Sequence, residues 1–209
     1  MQVNLIGVPV HTRDGQNAGK VWRVAVDPQS RRVTHVIIHQ GALLGRNLVV
    51  PIEDATRVDA SGITLELTLD GLARCPNYQE TDFLPPEEGW EYPVGYPQSG
   101  IVWPLAMAWS GASTYPLMSN AVVKENIPPE DVTIAAGTSV ECADGHCGRV
   151  ERVVLDDQSH EIVGFVIRKG LIFTRDIQAP IDWVDHVDDA GVHLKLSRQE
   201  VEQRGGSPR

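Results

Sequence analysis

The stretch VTHVIIHQGALLGRNLVVPIE, Val33 to Glu53, is an apolar run, a bend at glycine, a second apolar run and a closing proline. It returns later in the chain as IVGFVIRKGLIFTRDIQAPID, Ile162 to Asp182. Laid in register, Ile38 falls on Ile167, Gly41 on Gly170, Arg46 on Arg175, Pro51 on Pro180 and Ile52 on Ile181. Upstream, Gly19, Val21, Arg23, Val24 and Asp27 fall on Gly148, Val150, Arg152, Val153 and Asp156. Downstream, Val58, Asp59, Gly62, Leu65 and Leu67 fall on Val187, Asp188, Gly191, Leu194 and Leu196. One residue of slack in an early turn then brings Val10, Asp14 and Gly15 onto Val140, Asp144 and Gly145. One unit is used twice, and a repeat of this kind fixes the architecture before any local reading does.

A chain of 209 residues accommodates two small domains. Each copy is short and its core thin, so the two are expected to lean on each other or on the segment between them. Within the copies, GKVWRVAVD and GRVERVVLD alternate in the manner of strands that face a core on one side. Asp14 with Gly15 and Asp144 with Gly145 are Asp-Gly pairs, whose tolerance of positive φ suits tight hairpins. Pro51 and Pro180 cannot donate to a sheet ladder, so each should end its strand or lie on an edge. Thr68 and Ser197 occupy matching places and can cap short helices, and Ser197 with Glu200 has capping-box spacing. These signals predict an all-β protein of two tandem small antiparallel β-barrels, with a short helix after the last strand of each. The expected divisions are residues 1–75 and 131–203 for the repeats, 76–130 for a connector, and 204–209 for a disordered tail.

The first copy, DGQNAGKVWRVAVDPQSRRVTHVIIHQGALLGRNLVVPIEDATRV, resembles the PRC-barrel family in its Asp-Gly turn, Gly-Lys-Val strand, Asp-Pro turn, VTHVII strand and VVPIE terminus. The second, DGHCGRVERVVLDDQSHEIVGFVIRKGLIFTRDIQAPIDWVDHV, resembles it too. The family includes the soluble part of the photosynthetic reaction-centre H subunit and the C-terminal module of a ribosome maturation factor. Both are binding modules, so the resemblance implies a docking role, at the level of fold analogy only.

The connector holds most of the prolines, and from Tyr92 to Val123 it carries no charged residue. Its Trp103, Leu105, Met107, Trp109, Tyr115, Leu117 and Met118 are too apolar for a floating tether. The segment is expected to wrap the barrels and complete their cores. Its aromatics Trp90, Tyr92, Tyr96, Trp103, Trp109 and Tyr115 are at the same time candidates for contacting a protein partner, since aromatic side chains are enriched at interface hot spots. Arg46 and Arg175, repeated in the loops after the shared glycines, are expected to hold those loops, or else to anchor a partner. An exchange of the connector between chains would make a homodimer.

The formal charge is −10. Residues 70–136 hold two Lys or Arg against nine Asp or Glu, and residues 137–196 hold six against eleven. Such acidity repels phosphate backbones, which argues against a nucleic-acid partner. Three cysteines outside any framework spacing point to a reducing compartment, and the N-terminus lacks the pattern of a signal peptide, so a cytoplasmic location is expected. No apolar run is long enough for an integral membrane helix. Cys142, His146 and Cys147 are a weak zinc set with the wrong spacing for a CxxC half-site, and free thiols beside a hairpin are the expected alternative. Asp182, Asp185, Asp188 and Asp189 read as a solvated acidic face rather than a calcium loop. His35 and His39 stand too far apart along one strand to share a metal. GxGxxG, Walker, GxSxG and HExxH motifs are absent, so no catalytic class is supported and no cofactor is expected. The sequence thus points to a non-catalytic scaffold or adaptor that binds a protein. The alternative is a regulator that holds a small molecule between the two lobes.

Overall fold

A computed structural model describes residues 2–41, 45–59, 61–83, 121–156, 158–169 and 175–205, with backbone alone at 81–83, 121–122 and 175. The first repeat runs β1 (Gln2–Asn4), β2 (Pro9–His11), β3 (Asn17–Asp27), β4 (Arg32–Gln40), β5 (Arg46–Pro51), β6 (Ala55–Asp59), β7 (Gly62–Leu65) and α1 (Leu69–Leu72). The segment that follows carries β8 (Gln79–Phe83) and β9 (Ala121–Glu125). The second repeat runs β10 (Val132–Ala135), β11 (Ser139–Cys142), β12 (Gly145–Asp156), β13 (Ile162–Lys169), β14 (Arg175–Pro180), β15 (Val184–Asp188), β16 (Gly191–Leu194) and α2 (Arg198–Arg204). The protein is all-β, with most of its described strands in two curled sheets of the same order, β5-β4-β3-β2-β7-β6 and β14-β13-β12-β11-β16-β15. Met1–Tyr78 with Glu125–Arg209 make one compact unit and Gln79–Lys124 another, and in the latter β8 pairs with β9.

Both expected proline ends are present, Pro51 closing β5 and Pro180 closing β14. Each proline is followed by a single 3-10 turn, at Ile52–Asp54 and Ile181–Trp183. That turn carries the chain from one end of the sheet to the other without reversing it. The last strand therefore arrives parallel to the first, β7 on β2 and β16 on β11, and this is the one departure from antiparallel pairing in each half-barrel. The caps form as the sequence predicts. Thr68 accepts from the Gly71 N–H, and Ser197 and Glu200 close a reciprocal capping box. Gly19 and Gly148 mark close strand crossings, since a Cβ on either would lie 2.3 Å from the His39 carbonyl oxygen or 2.6 Å from that of Arg168.

The repeats are interlocked by exchange of their leading strands. The long strand β3 pairs with β2 along Asn17–Lys20 and with β10 along Arg23–Val26. In the same way β12 pairs with β11 over its first half and with β1 over Val154–Asp156. Each sheet is thus completed by the strand that begins the other repeat. The hairpin tips add a second reciprocal contact, with the Val33 N–H donating to the His160 carbonyl at 3.1 Å and the Ile162 N–H to the Arg31 carbonyl at 3.0 Å. Arg31 and His160 are equivalent residues, and both take positive φ, 59° and 56°.

One hydrophobic core runs through both repeats, from Leu5, Val24, Ile38 and Leu65 to Leu155, Phe165, Ile167 and Leu194. A smaller cluster lies on the opposite face of the first sheet, where Ala25, Ile37 and Val49 meet Tyr78, with Ile127 packed against them. This explains why Val36, Ile37 and Ile38 do not alternate with polar residues. Val36 and Ile38 face the main core, and Ile37 faces a layer supplied by the ends of the connector.

Candidate protein-interaction surface

Both long strands carry a β-bulge at the same place, between Val21 and Arg23 in β3 and between Val150 and Arg152 in β12. The extra residue of a bulge is left unpaired and its side chain is re-aimed. In the second repeat that residue is Glu151, and its carboxylate meets Arg168 Nη2 at 2.8 Å. In the first it is Trp22, whose side chain remains 37% exposed and is one of two large apolar residues exposed among those described.

Trp22 is held in a fixed setting. Its ring meets Tyr78 edge-on, with centroids 5.9 Å apart and planes at 80°. The Arg23 guanidinium carbon sits 4.3 Å over the Trp22 ring and 5.8 Å from that of Tyr78, within cation–π range. Thr133, on the exchanged strand β10, receives Arg23 Nη1 and meets the Tyr78 hydroxyl, each at 3.4 Å. Arg23 Nε is buried with no hydrogen-bond partner among the described residues. Burial pushes the Tyr78 hydroxyl above its ordinary pKa, so the ring stays neutral. Tyr78 is itself pinned by backbone, because Pro76–Tyr78 runs along β5, with the Val49 N–H on the Pro76 carbonyl at 3.0 Å and the Tyr78 N–H on the Asn47 carbonyl at 2.6 Å. The patch therefore combines a bulge, the start of the connector and a strand from the other repeat. The sequence signal for it was the Trp22–Glu151 mismatch inside an otherwise matched pair of strands.

The residues singled out from sequence fall elsewhere or outside the description. Trp90, Tyr92, Tyr96, Trp103, Trp109 and Tyr115 all lie outside the described residues. Arg46 Nε donates to Asn77 Oδ1 at 3.1 Å and so fastens the strand-like Pro76–Tyr78 segment to β5. Arg175 opens β14 opposite Lys169, with its side chain outside the description.

The zinc set is corrected. Cys142 and Cys147 are joined as a disulfide across the β11–β12 hairpin, with Cα atoms 5.5 Å apart, and both are buried. His146 turns away to Glu141 Oε1 at 3.0 Å and Ser139 Oγ at 3.1 Å, and this lowers the Glu141 pKa. A register shift in this hairpin places both sulfurs on the core side and leaves the imidazole outside. The free-thiol alternative is corrected with it, since only Cys75 is a free cysteine. In the first repeat the buried Thr12 takes the place of Cys142, accepting from the Gln16 N–H at 3.1 Å. His39 Nδ1 bonds Asn47 Oδ1 at 2.8 Å, and His35 Nδ1 lies 3.0 Å from Thr34 Oγ1 and 3.8 Å from Asp131 Oδ2.

Thr34, His35 and Asp131 line a depression of about 410 Å³ together with Asp27, Gln29 and Glu130. Its volume is in the range of small-molecule sites, but three carboxylates and no Phe, Tyr, Trp or aliphatic side chain beyond two prolines are a poor lining for one. A cleft between the repeats, lined by Val26, Arg31, Ile162, Phe165 and Val184, measures about 120 Å³, short of the roughly 300 Å³ at which ligand pockets begin.

The model of one family, PRC-barrel domain, matches residues 2–71. The matched stretch is the first repeat, from β1 to α1. None of the curated proteins compared with the chain matches it. Trp22 and Arg23 lie on β3, within the matched residues, while Tyr78 and the strand carrying Thr133, β10, lie beyond them. No helix among the described residues is long and apolar enough to cross a membrane.

Proposed function

We propose that the chain is a non-catalytic scaffold or adaptor that binds a protein partner, with Trp22, Arg23 and Tyr78 as the first contact. The observation that carries this reading is the bulge that lifts Trp22 out of the sheet, with a guanidinium stacked on it. Tryptophan, tyrosine and arginine are the residues that dominate interface energetics, and a preordered aromatic loses little side-chain entropy on binding. The alternative, a small ligand held between the repeats, has a cleft of only about 120 Å³ to occupy. Cytoplasmic residence loses the support of cysteine usage, because Cys142 and Cys147 are bonded and disulfides persist in oxidising compartments.

The test is Trp22→Glu, which installs the residue that the second repeat carries at the same bulge. Affinity purification from host lysate should recover a near-stoichiometric protein with the native chain and lose it with the variant, both having the same melting curve. Equal recovery by both would remove Trp22 from the interface.

A further inference from the structure

The second repeat differs from the first on the solvent face of its last two strands. In the first repeat Arg57 stands opposite Thr64 across β6 and β7, and its guanidinium is ion-paired to Asp59. In the second the same three positions hold His186, His193 and Asp188, with His186 opposite His193 across β15 and β16. The built-in cation of the first repeat has been exchanged for two imidazoles beside the retained carboxylate.

The three side chains converge. His193 Nε2 lies 3.1 Å from Asp188 Oδ1, and His186 Nε2 lies 3.8 Å from Asp188 Oδ2. One ligand atom from each residue falls within 4.8 Å of the others, and the two rings stack with centroids 4.3 Å apart. Ligands of a tetrahedral zinc ion, bonded at about 2.0–2.1 Å, stand about 3.3 Å from one another, so small side-chain rotations close the remaining distance. All three side chains reach solvent, and the Ala190 and Gly191 N–H groups that hold Asp188 bond Oδ1, leaving Oδ2 toward His186. His186 Nδ1 is already engaged, 3.0 Å from Asp185 Oδ2. A carboxylate on the far nitrogen orients a metal-ligating imidazole and fixes which nitrogen faces the ion. Glu141, paired with His193 across β11 and β16, adds negative charge beside the site, and the surrounding sequence is strongly acidic. A cation is favoured there and an anion is not.

We infer that His186, Asp188 and His193 form a binding site for a divalent transition-metal ion of the zinc class, with Asp185 as the positioning residue behind His186. Two imidazoles with one carboxylate suit such an ion better than calcium or magnesium, which prefer all-oxygen sets. The remaining coordination positions face solvent, open to water or to a side chain of a docked partner.

The experiment is calorimetric titration of the full chain, freed of metal with chelator and desalted, with zinc chloride and in parallel with magnesium chloride. One zinc ion per chain should bind saturably and magnesium should not. The double variant H186R/H193T, which borrows the residues the first repeat carries at those positions, should lose that binding while keeping the melting temperature of the metal-free parent. Asp188→Asn keeps the oxygen that accepts from the Ala190 and Gly191 N–H groups and should weaken binding by at least the ~10–100-fold typical of outer-shell changes. His146→Ala should bind as the parent does. Absence of zinc binding by the parent, binding that survives in H186R/H193T, or binding lost only in His146→Ala would each overturn the site.

Discussion

Replacing Leu5 with alanine measures how much the exchanged strand contributes. Leu5 belongs to the first repeat by sequence, yet its N–H donates to the Val153 carbonyl of the second sheet at 3.1 Å. Its side chain is wholly buried in the core that runs through both repeats. The substitution leaves the backbone bond in place and removes only apolar packing. Buried Leu→Ala changes cost about 2–5 kcal/mol, the transfer term plus that of the cavity left behind. For a unit of this size 1 kcal/mol moves the melting temperature by about 2–4 °C, so the fall should be roughly 4–20 °C. Thermal and urea unfolding followed by circular dichroism give the size of the effect. Hydrogen exchange read by mass spectrometry gives its place, and protection should fall further in 145–156, where β12 lies, than in 17–27, where β3 lies. A cost under about 1 kcal/mol, or a greater loss of protection in β3, would refute the exchange.

Acid should weaken the protein through its turns. Hydrogen bonds from neighbouring side chains or backbone N–H groups hold Asp14, Asp27, Asp59, Asp144 and Asp156 below the ordinary aspartate pKa. For Asp188 burial acts upward, but His193 and the Ala190 and Gly191 N–H groups outweigh it, and the net shift is again downward. Carboxyls with lowered folded pKa values contribute stability above their unfolded pKa and lose it as pH falls through the folded one. Urea midpoints should therefore be unaffected by these groups from pH 7 to about 5 and decline below about 4, and a midpoint that rises across the lower interval contradicts the assignment. Reduction of the Cys142–Cys147 bond, which closes a short loop, should cost about 2 kcal/mol on the chain-entropy model. Before reduction, unfolded protein should titrate one thiol, from Cys75, and three titratable thiols would show that the bond does not form.

The candidate patch was only partly legible in the sequence, and the metal set was not. Trp22 sat in view as the mismatch to Glu151, but its exposure depends on a bulge, and a bulge is a property of two paired strands rather than of one. His186, Asp188 and His193 are split by a turn, and only the register of β15 on β16 makes the two histidines neighbours. The sequence brought Cys142, His146 and Cys147 to notice as a set and placed Asp188 only in an acidic face, because proximity along the chain is visible and the side of the sheet is not. Arg46 was expected to hold the loop after Gly41 or to anchor a partner, whereas its guanidinium bonds Asn77, 31 residues away, a contact that chain proximity does not show.

By itself the sequence determined the repeat, the strand character, the proline-closed edges and the caps at Thr68 and Ser197. Each of these is written in local periodicity, in a missing N–H, or in a side chain that bonds its own backbone a few residues on. The tertiary structure alone decided that β1 and β10 change places, that the closing strands run parallel, and that Ile37 is buried from outside by Tyr78. Those outcomes depend on which edge offers unpaired N–H and C=O groups and which face still exposes apolar surface. A short strand with equal chemistry toward two edges goes where the larger shared core buries it.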